Sequence, residues 1–262
     1  MTARRFSTLD VRVDGPVAWV RFDRPDARNA VTTEMVVEMH AALTGLSRDD
    51  ALTVVVLTGA GSTFCPGADL NRAGSSEPVD LPGLEVYQSA TLLHAMPQLT
   101  VAAVNGGCAG AGFAWAAACD LRVAAAGARF STAFLQVGLA SELGLPWTLS
   151  RSVGGAMARD LCFLPRKLDA EEAFRMGFLS RVLPDERFAD EVGALVDELG
   201  SRSPAAVRAM KANFLLAERS DLAGYVEQEA RRHQAFFTGA AREETVRALR
   251  RQGERVHRGA EA

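Results

Sequence analysis

The hydrophobic and polar positions of this chain follow two different periods near its amino terminus. Residues 11–22 alternate in two pieces around the turn Asp14-Gly15-Pro16, which predicts a β-hairpin. Further along, apolar residues recur at the spacing of a helical face, which predicts a helix with Thr32 or Thr33 as its N-cap. The apolar positions of that helix are Val31, Met35, Met39, Leu43 and Leu46.

Strand and helix patterns then alternate along the chain. Short apolar runs predict buried strands at residues 53–58, 100–104 and 121–125. Helices are predicted at residues 84–96, which Pro97 ends, and at 112–119, which consist mostly of small residues. The polar stretch 71–83, rich in glycine, serine and proline, is predicted to be a loop that shapes a pocket. This repeated order predicts right-handed crossovers and an α/β core.

Beyond about residue 151 the pattern changes to consecutive helices. Asp169 with Glu172 is typical of a capping box, and Ser203-Pro204 of a helix start. The last helices carry more apolar residues than one solvated face needs, which indicates a partner subunit. The predicted helices are residues 154–164, 170–176, 186–199, 205–216, 222–237 and 241–256. The excess apolar residues are Phe214, Leu215, Tyr225, Phe236 and Phe237.

Charge and cysteine usage narrow the classes of protein that fit. A formal net charge of −3 gives no reason to expect nucleic acid as a partner. Arginines crowd residues 231–258, either as a solvated helix face balanced by Glu243, Glu244 and Glu254 or as a contact with phosphates. The cysteines show no metal or redox spacing, so we expect reduced packing residues and no metal site.

No targeting or membrane segment is recognisable in the sequence. The first ten residues lack the apolar core of a signal peptide, and no apolar run approaches the length that spans a membrane. We therefore expect a soluble, cytoplasmic protein that does not bind membranes.

Two glycine-rich turns, each following an apolar strand, carry the strongest functional signal. The first is residues 59–70 (GAGSTFCPGADL) and the second is residues 105–112 (NGGCAGAG). Glycine and alanine allow the main chain to approach a ligand closely and to direct N–H groups at it. Two such turns can direct two donors at one oxygen atom, which is how an oxyanion hole is built.

The motifs around these turns resemble those of the crotonase (enoyl-CoA hydratase/isomerase) superfamily. The resemblance rests on residues 22–30 (FDRPDARNA), 64–70 (FCPGADL) and 103–120, in this order, and it covers nearly the whole chain. It implies an α/β fold with a spiral core of ββα repeats over residues 1–200. It also implies a C-terminal α-helical trimerisation region over residues 201–262, and hence a homotrimer or a dimer of trimers.

The resemblance also implies the ligand and the residues that bind it. The ligand would be an acyl-CoA thioester, with CoA as part of the substrate and no tightly bound cofactor. The oxyanion donors would be the N–H groups of Ala68 and Ala111. The residues implied to hold the adenine and phosphates of CoA are Arg24, Ala27, Arg28, Gly67, Ala68, Asp69 and Leu70.

The acid/base residues distinguish the possible reactions. Hydratases of the superfamily add water with two glutamates, and the matching positions here are Ala114 and Phe134, which cannot transfer protons. Glu142 falls where the superfamily's double-bond isomerases carry their single acid/base. The resemblance therefore implies enoyl-CoA isomerisation, with Glu142 moving the proton and apolar neighbours raising its pKa.

Three alternatives remain open from the sequence. One is a hydratase-like lyase with non-standard acid/base groups, and another is an acyl-CoA binding protein without catalysis. The third is a cysteine α/β-hydrolase, because residues 106–110 (GGCAG) fit a nucleophile elbow at Cys108. Asp185 or Asp190 and then His233 follow in the chain order that such a hydrolase needs.

Overall fold

The computed structural model describes residues 6–69, 81–239, 242–243 and 245–250. The chain divides into two compact units, Met1–Ser201 and Arg202–Ala262. The first unit contains the sheets and both glycine-rich turns, and the second is helical. Leu70 and most of the predicted loop at 71–83 lie outside the described residues.

The strands of the described residues form two sheets in the first unit. The strands are β1 (Leu9–Asp14), β2 (Val17–Phe22), β3 (Val54–Gly59), β4 (Thr63–Cys65), β5 (Leu99–Val104), β6 (Gly107–Ala109), β7 (Leu121–Ala125), β8 (Arg129–Ser131), β9 (Leu168–Asp169) and β10 (Arg181–Leu183). The larger sheet has six strands in the order β1-β2-β3-β5-β7-β10, and the smaller has four in the order β4-β6-β8-β9.

Helices alternate with the strands along the first unit, and after β10 they follow one another without further strands in the described residues. The α-helices are α1 (Thr33–Leu46), α2 (Ser89–Ala95), α3 (Ala111–Ala118), α4 (Leu145–Val153), α5 (Gly155–Phe163), α6 (Ala170–Arg175), α7 (Phe188–Gly200), α8 (Pro204–Ala217) and α9 (Leu222–Thr238). No helix in these described stretches is long and apolar enough to cross a membrane.

The inner strands β2, β3, β5 and β7 of the larger sheet are largely buried, whereas half of the edge strand β1 is exposed. β1 and β2 form the predicted antiparallel hairpin, and the other neighbouring strands of this sheet pair in parallel. Strand β3 is continuously apolar because its residues serve two cores. Val55 and Leu57 pack into the main core, whereas Val54 and Val56 face a second core that α7 covers.

Two predicted helices are confirmed in detail. Helix α1 begins after Thr32, whose hydroxyl oxygen accepts a hydrogen bond from the Met35 N–H at 3.2 Å. Its apolar face, including Met39 and Leu43, is buried as the spacing predicts. Helix α6 begins after Asp169, whose carboxylate accepts a hydrogen bond from the Glu172 N–H at 2.7 Å. Val31 is not helical, because it forms an isolated bridge with Ala68.

Other helix boundaries differ from the predictions. Residues 84–96 divide into the 3₁₀ helix Leu84–Gln88 and α2, and residues 186–199 begin as the 3₁₀ helix Asp185–Arg187. Helix α4 is not among the predicted elements. Gly154, with φ of +81°, separates α4 from α5, since most residues with a side chain avoid that conformation.

The second unit leaves large apolar side chains at its surface. Helices α8 and α9 pack together, and residues 242–243 and 245–250 are also helical. The remainder of the predicted helix 241–256 lies outside the described residues. Phe214 is 69% exposed, and an apolar cleft of about 710 Å³ includes Met210, Phe236 and Leu249 in its lining.

The charges of the second unit are partly paired. The Arg231 guanidinium lies 2.5 Å from the Glu227 carboxylate one helical turn away, and Arg232 donates a hydrogen bond to Asn213. Both pairs lie at the surface of this unit, while Glu244 and Glu254, two of the glutamates predicted to balance the arginines, lie outside the described residues.

Candidate active site at two glycine-rich turns

The first glycine-rich turn leaves one main-chain donor directed away from its neighbouring strand. Gly67 has a φ of +93°, and its carbonyl oxygen accepts a hydrogen bond from the Val31 N–H at 2.8 Å. The Asp69 N–H donates to the Val31 oxygen at 3.0 Å. In a planar trans peptide, the N–H points opposite to the carbonyl of the same unit. The N–H of Ala68 therefore points away from Val31, and Ala68 itself is exposed.

The second turn presents the beginning of a helix. Gly110, with φ of +52°, precedes α3 without any side chain that caps the helix. The Ala114 N–H makes the first bond of the helix, to the Gly110 oxygen at 3.0 Å. The N–H of Ala111 belongs to the first turn, where helices have donors without an intrahelical partner and a partial positive charge.

The two turns are in contact. Strands β4 and β6 pair in parallel, with Thr63 opposite Gly107, so both turns leave the same edge of the smaller sheet. A Cβ on Gly67 would lie 3.1 Å from the Ala109 carbonyl oxygen and 3.4 Å from the Gly110 Cα. The structure therefore brings Ala68 and Ala111 together, each one residue beyond a contacting glycine.

Asn105, at the start of the second glycine-rich turn, forms hydrogen bonds to the start of the first glycine-rich turn. Its Oδ1 accepts a hydrogen bond from the Gly59 N–H at 3.2 Å. Its Nδ2 donates to the carbonyl oxygens of Gly59 and Gly61, at 3.0 and 2.9 Å. The sequence contains this residue within the second motif but does not indicate the role that its amide plays.

Asn29 is a fully buried amide that the sequence analysis also leaves without a role. Its Nδ2 donates to the carbonyl oxygens of Ala60 and Thr63, at 2.9 and 2.6 Å. Its Oδ1 accepts a hydrogen bond from the Arg24 N–H at 3.0 Å. Asn29 thus holds the segment that begins at Arg24 against the first turn. A φ of +62° at this position favours asparagine over most other residues.

The residues implied to hold CoA are placed in different ways. Arg24 is turned inward, with its guanidinium donating to the Ala30 carbonyl oxygen and lying 3.2 Å from the Asp69 carboxylate. Arg28 is exposed, and its side chain makes no hydrogen bond or ion pair to the described residues. Ala27 is half-buried in the 3₁₀ helix Pro25–Ala27. Leu70 lies outside the described residues.

Glu142 lies in a strained loop close to the first turn. The next residue, Leu143, is buried with φ of +54°, a conformation that costs energy for a bulky side chain. Burial raises the pKa of the Glu142 carboxyl. Its charge contributes to the raised pKa of Cys65, so the carboxylate lies near the end of β4. To the described residues the carboxylate makes no hydrogen bond, which leaves it available to a ligand.

The two positions that hold glutamates in hydratases are apolar and buried. Ala114 is within α3, a helix of small and aromatic residues without solvent exposure. Phe134 begins the 3₁₀ helix Phe134–Val137. Neither side chain can hold a proton or a water molecule by hydrogen bonding.

The cysteines do not fit a nucleophile. Cys108 is buried in the middle of β6 rather than at the tip of a turn, and burial raises the pKa of its thiol well above the usual range. Burial also raises the pKa of Cys65 to about 12. Because the thiolate is the reactive form, these environments argue against the cysteine hydrolase. Asp185, its candidate acid, accepts a hydrogen bond from the Gly127 N–H at 2.8 Å.

Comparisons with known proteins identify the family to which the chain belongs. The family model described as enoyl-CoA hydratase/isomerase matches residues 12–255. The chain is 36% identical over 205 residues to a probable enoyl-CoA hydratase of Mycobacterium tuberculosis, covering 74% of this chain and 72% of that protein. It is 34% identical over 222 residues to the mitochondrial Δ(3,5)-Δ(2,4)-dienoyl-CoA isomerase of Homo sapiens, covering 79% of this chain and 68% of that protein.

A solved structure extends the similarity to the fold. It is that of a putative enoyl-CoA hydratase from Thermobifida fusca in complex with acetoacetyl-CoA, 31% identical to this chain. The match has a TM-score of 0.82 and covers 88% of this chain and 95% of that chain. The chain therefore belongs to the enoyl-CoA hydratase/isomerase family and has the α/β fold of the crotonase superfamily.

Proposed function

We propose that this protein isomerises the double bond of an enoyl-CoA thioester. The N–H groups of Ala68 and Ala111 bind the thioester oxygen, and Glu142 transfers the proton. One observation carries the proposal: a half-buried carboxylate with a raised pKa lies near the end of β4, within the first glycine-rich turn, and makes no hydrogen bond to the described residues.

The reaction conserves every atom of the substrate. The Glu142 carboxylate takes a proton from C2 of a 3-enoyl thioester, and the electron pair moves onto the thioester oxygen as a dienolate. The two N–H groups stabilise this negative charge, which is larger in the transition state than in the substrate. The same carboxyl then returns the proton to C4, and the double bond lies between C2 and C3.

The environment of Glu142 suits a group that must both accept and return a proton. Burial raises its pKa and thereby brings its proton affinity closer to that of the reacting carbon. A carboxylate that is not fixed by hydrogen bonds to its own chain can serve C2 and C4 in turn.

Hydration is the second candidate, because relatives of this chain are called enoyl-CoA hydratases. Adding water requires a group that activates the water and a group that protonates carbon. Ala114 and Phe134 supply neither, so Glu142 would act alone. A positioned acid or base contributes about 10²- to 10⁴-fold in rate, and we therefore favour isomerisation.

The deciding experiment compares Glu142→Gln with the wild type on 3-enoyl-CoA and 2-enoyl-CoA substrates. We expect isomerisation to fall at least tenfold, by analogy with other positioned acid/base groups, with little change in thioester affinity. Glu186→Gln, at an exposed glutamate of the 3₁₀ helix Asp185–Arg187, is the control and should leave both rates unchanged.

The outcomes separate the candidates. Rapid hydration of 2-enoyl-CoA by the wild type would reject isomerisation as the main reaction. Tight binding of the thioester without any turnover by the wild type would leave a binding protein as the answer.

The ligand class follows from the same site. The structural relative holds acetoacetyl-CoA, and we propose that this chain binds acyl-CoA thioesters with Arg28 available to the phosphates. Proton transfer by a carboxylate needs no redox or metal chemistry, so we propose that no tightly bound cofactor takes part. Removal of metal ions with a chelator should leave the rate unchanged.

We also propose that the protein assembles as a homotrimer or a dimer of trimers through its second unit. The exposed Phe214 and the apolar cleft beside Met210 support this, because large apolar patches on soluble proteins mark interfaces. Light scattering should give a molar mass three or six times that of one chain, and a monomer would reject the proposal.

A further inference from the structure

The Arg24 side chain binds a residue on each side of the isolated β-bridge between Val31 and Ala68. Its guanidinium donates to the carbonyl oxygen of Ala30, the residue before Val31. It also donates to Oδ2 of Asp69, the residue after Ala68, at 3.2 and 3.3 Å. Val31 and Ala68 form the bridge between these two points. The Arg24 and Asp69 side chains are 22% and 12% exposed, so the pair is largely shielded from water.

The charge of Asp69 would oppose the proposed reaction if it were not paired. The carboxylate belongs to the residue directly after the candidate donor at Ala68. A negative charge so close to a developing oxyanion raises the energy of the transition state, the more so where water is excluded. The positive charge of Arg24 cancels this effect at short range.

The backbone of Arg24 is itself fixed. Its N–H donates to the Oδ1 of buried Asn29, whose amide is anchored to the carbonyl oxygens of Ala60 and Thr63. The guanidinium is thus directed inward from a rigid segment, while the neighbouring Arg28 is exposed.

We propose that Arg24 and Asp69 form a positioning pair for the oxyanion donor at Ala68, and that Arg24 does not bind the phosphates of CoA. The pair fixes the peptide that carries the Ala68 N–H and keeps the surroundings of the thioester oxygen free of net negative charge. This inference rests on the proposed role of Ala68 in the preceding subsection.

The test compares Arg24→Gln, Asp69→Asn and the double variant. Arg24→Gln leaves an unpaired carboxylate, so we expect kcat for isomerisation to fall about tenfold with KM nearly unchanged, less than the loss of a whole donor would cost. The double variant has no charge at either position. Its kcat should be at least about threefold higher than that of Arg24→Gln, since the effects of residues in contact are not additive. Arg24→Lys keeps the charge and should lie between the wild type and Arg24→Gln.

A spectroscopic measurement keeps the test independent of turnover. The carbonyl stretching frequency of a bound saturated acyl-CoA, read by infrared difference spectroscopy, reports the strength of the donors at its oxygen. We expect the downshift to be largest in the wild type, smaller in Arg24→Gln and partly restored in the double variant. Glu142→Gln should keep the wild-type shift, which separates this inference from the identity of the reaction.

A phosphate contact at Arg24 gives the opposite pattern. Arg24→Gln would then raise KM for CoA thioesters but not for pantetheine thioesters, and Asp69→Asn would restore nothing. Arg28→Gln serves as the comparison, because an exposed arginine that binds phosphate should show that KM effect without any change in carbonyl frequency. Either the KM pattern at Arg24 or an unchanged carbonyl frequency in Arg24→Gln would overturn the proposal.

Discussion

Gly112 lies directly against Cys65, so that a Cβ on this glycine would come within 2.7 Å of the Cys65 Cβ. Cys65 ends β4 within the first glycine-rich turn, two residues before Gly67, and Gly112 follows Ala111 in the first helical turn of α3. The distance between the two candidate donors is therefore set by a helix that packs on a strand without an intervening side chain.

Substituting Gly112 by alanine should disturb both stability and activity. The added methyl group has no space, and overpacking of this kind costs about 1–3 kcal/mol in the free energy of unfolding. Because the turns must separate to admit it, we expect isomerase activity to fall more than the unfolding data alone would explain. Urea unfolding and steady-state kinetics check this.

Gly193→Ala is the matched control for that change. Gly193 lies within α7, and a Cβ there would meet nothing within 4 Å. Replacing a helical glycine by alanine at such a site stabilises by up to about 1 kcal/mol and should leave activity unchanged. Equal effects of the two substitutions would show that the contact at Gly112 has no special role.

Glu142 should stabilise the protein less as the pH rises. Burial raises the pKa of its carboxyl in the folded state, so the folded protein holds this proton more tightly than the unfolded chain does. The resulting stability is present below the unfolded pKa and is lost as the pH rises through the folded pKa.

Glu142→Gln removes this ionisation and should therefore raise the melting temperature at about pH 8, with the difference shrinking towards about pH 4. Thermal unfolding at both pH values measures this, with exposed Glu186→Gln as a variant that should show no such trend. A lower melting temperature for Glu142→Gln at about pH 8 would contradict the effect of burial.

Thiol reagents should distinguish one cysteine from the other three. Cys65, Cys108 and Cys119 are buried, whereas Cys162 is partly exposed. We expect a single equivalent of a disulfide reagent to react with the folded protein, at a rate that increases with pH because the thiolate is the reactive form. Since burial raises the pKa of Cys162, this increase should extend to higher pH than for an exposed thiol.

Cys162→Ser should abolish that labelling while isomerisation continues at the wild-type rate. Labelling of the unfolded chain, where every thiol is accessible, provides the reference count. Rapid modification of Cys108 in the folded protein would reopen the hydrolase alternative.

Asn29 should be costly to replace. Asn29→Ala leaves the buried Ala60 oxygen and the partly buried Thr63 oxygen without their donor and places alanine at a φ of +62°. We therefore expect the free energy of unfolding to fall by about 3 kcal/mol. Asn29→Gly avoids the backbone strain of a side chain at this φ, so its free energy of unfolding should fall by about 1 kcal/mol less than that of Asn29→Ala. Urea unfolding gives both values, and equal losses would show that the backbone conformation contributes nothing.

The sequence predicted those parts of the fold whose signal is local and long. The hairpin β1–β2, the buried face of α1 and the cap of α6 at Asp169 depend on residues near one another in the chain. The two glycine-rich motifs indicated a close approach of the backbone, and the resemblance to the crotonase superfamily then assigned the donors to Ala68 and Ala111.

Short or irregular elements could not be predicted from the periodicity of apolar residues. Strands β4, β6 and β8 have three residues each, too few to show an alternating pattern. Helix α4 was missed although Pro146 marks its first turn, a signal that could have identified it.

The side-chain network of the site could not be read from the sequence either. Arg24 and Asp69 are 45 residues apart in the sequence, and Asn105 and Gly59 are 46 residues apart, so no local pattern indicates that either pair is in contact. The sequence assigned Arg24 to phosphate binding because the family motif contains it. Only the tertiary arrangement shows that its guanidinium is occupied inside the protein.

The candidate donors at Ala68 and Ala111 belong to the main chain, and this has a consequence for how the site can change during evolution. Every amino acid except proline supplies the same N–H group, so the side chain at exposed Ala68 can change without loss of the donor, whereas buried Ala111 can change only to side chains that fit the core. Inherited loss of activity is instead expected to arise at the glycines beside them and at Glu142, where no other residue is equivalent.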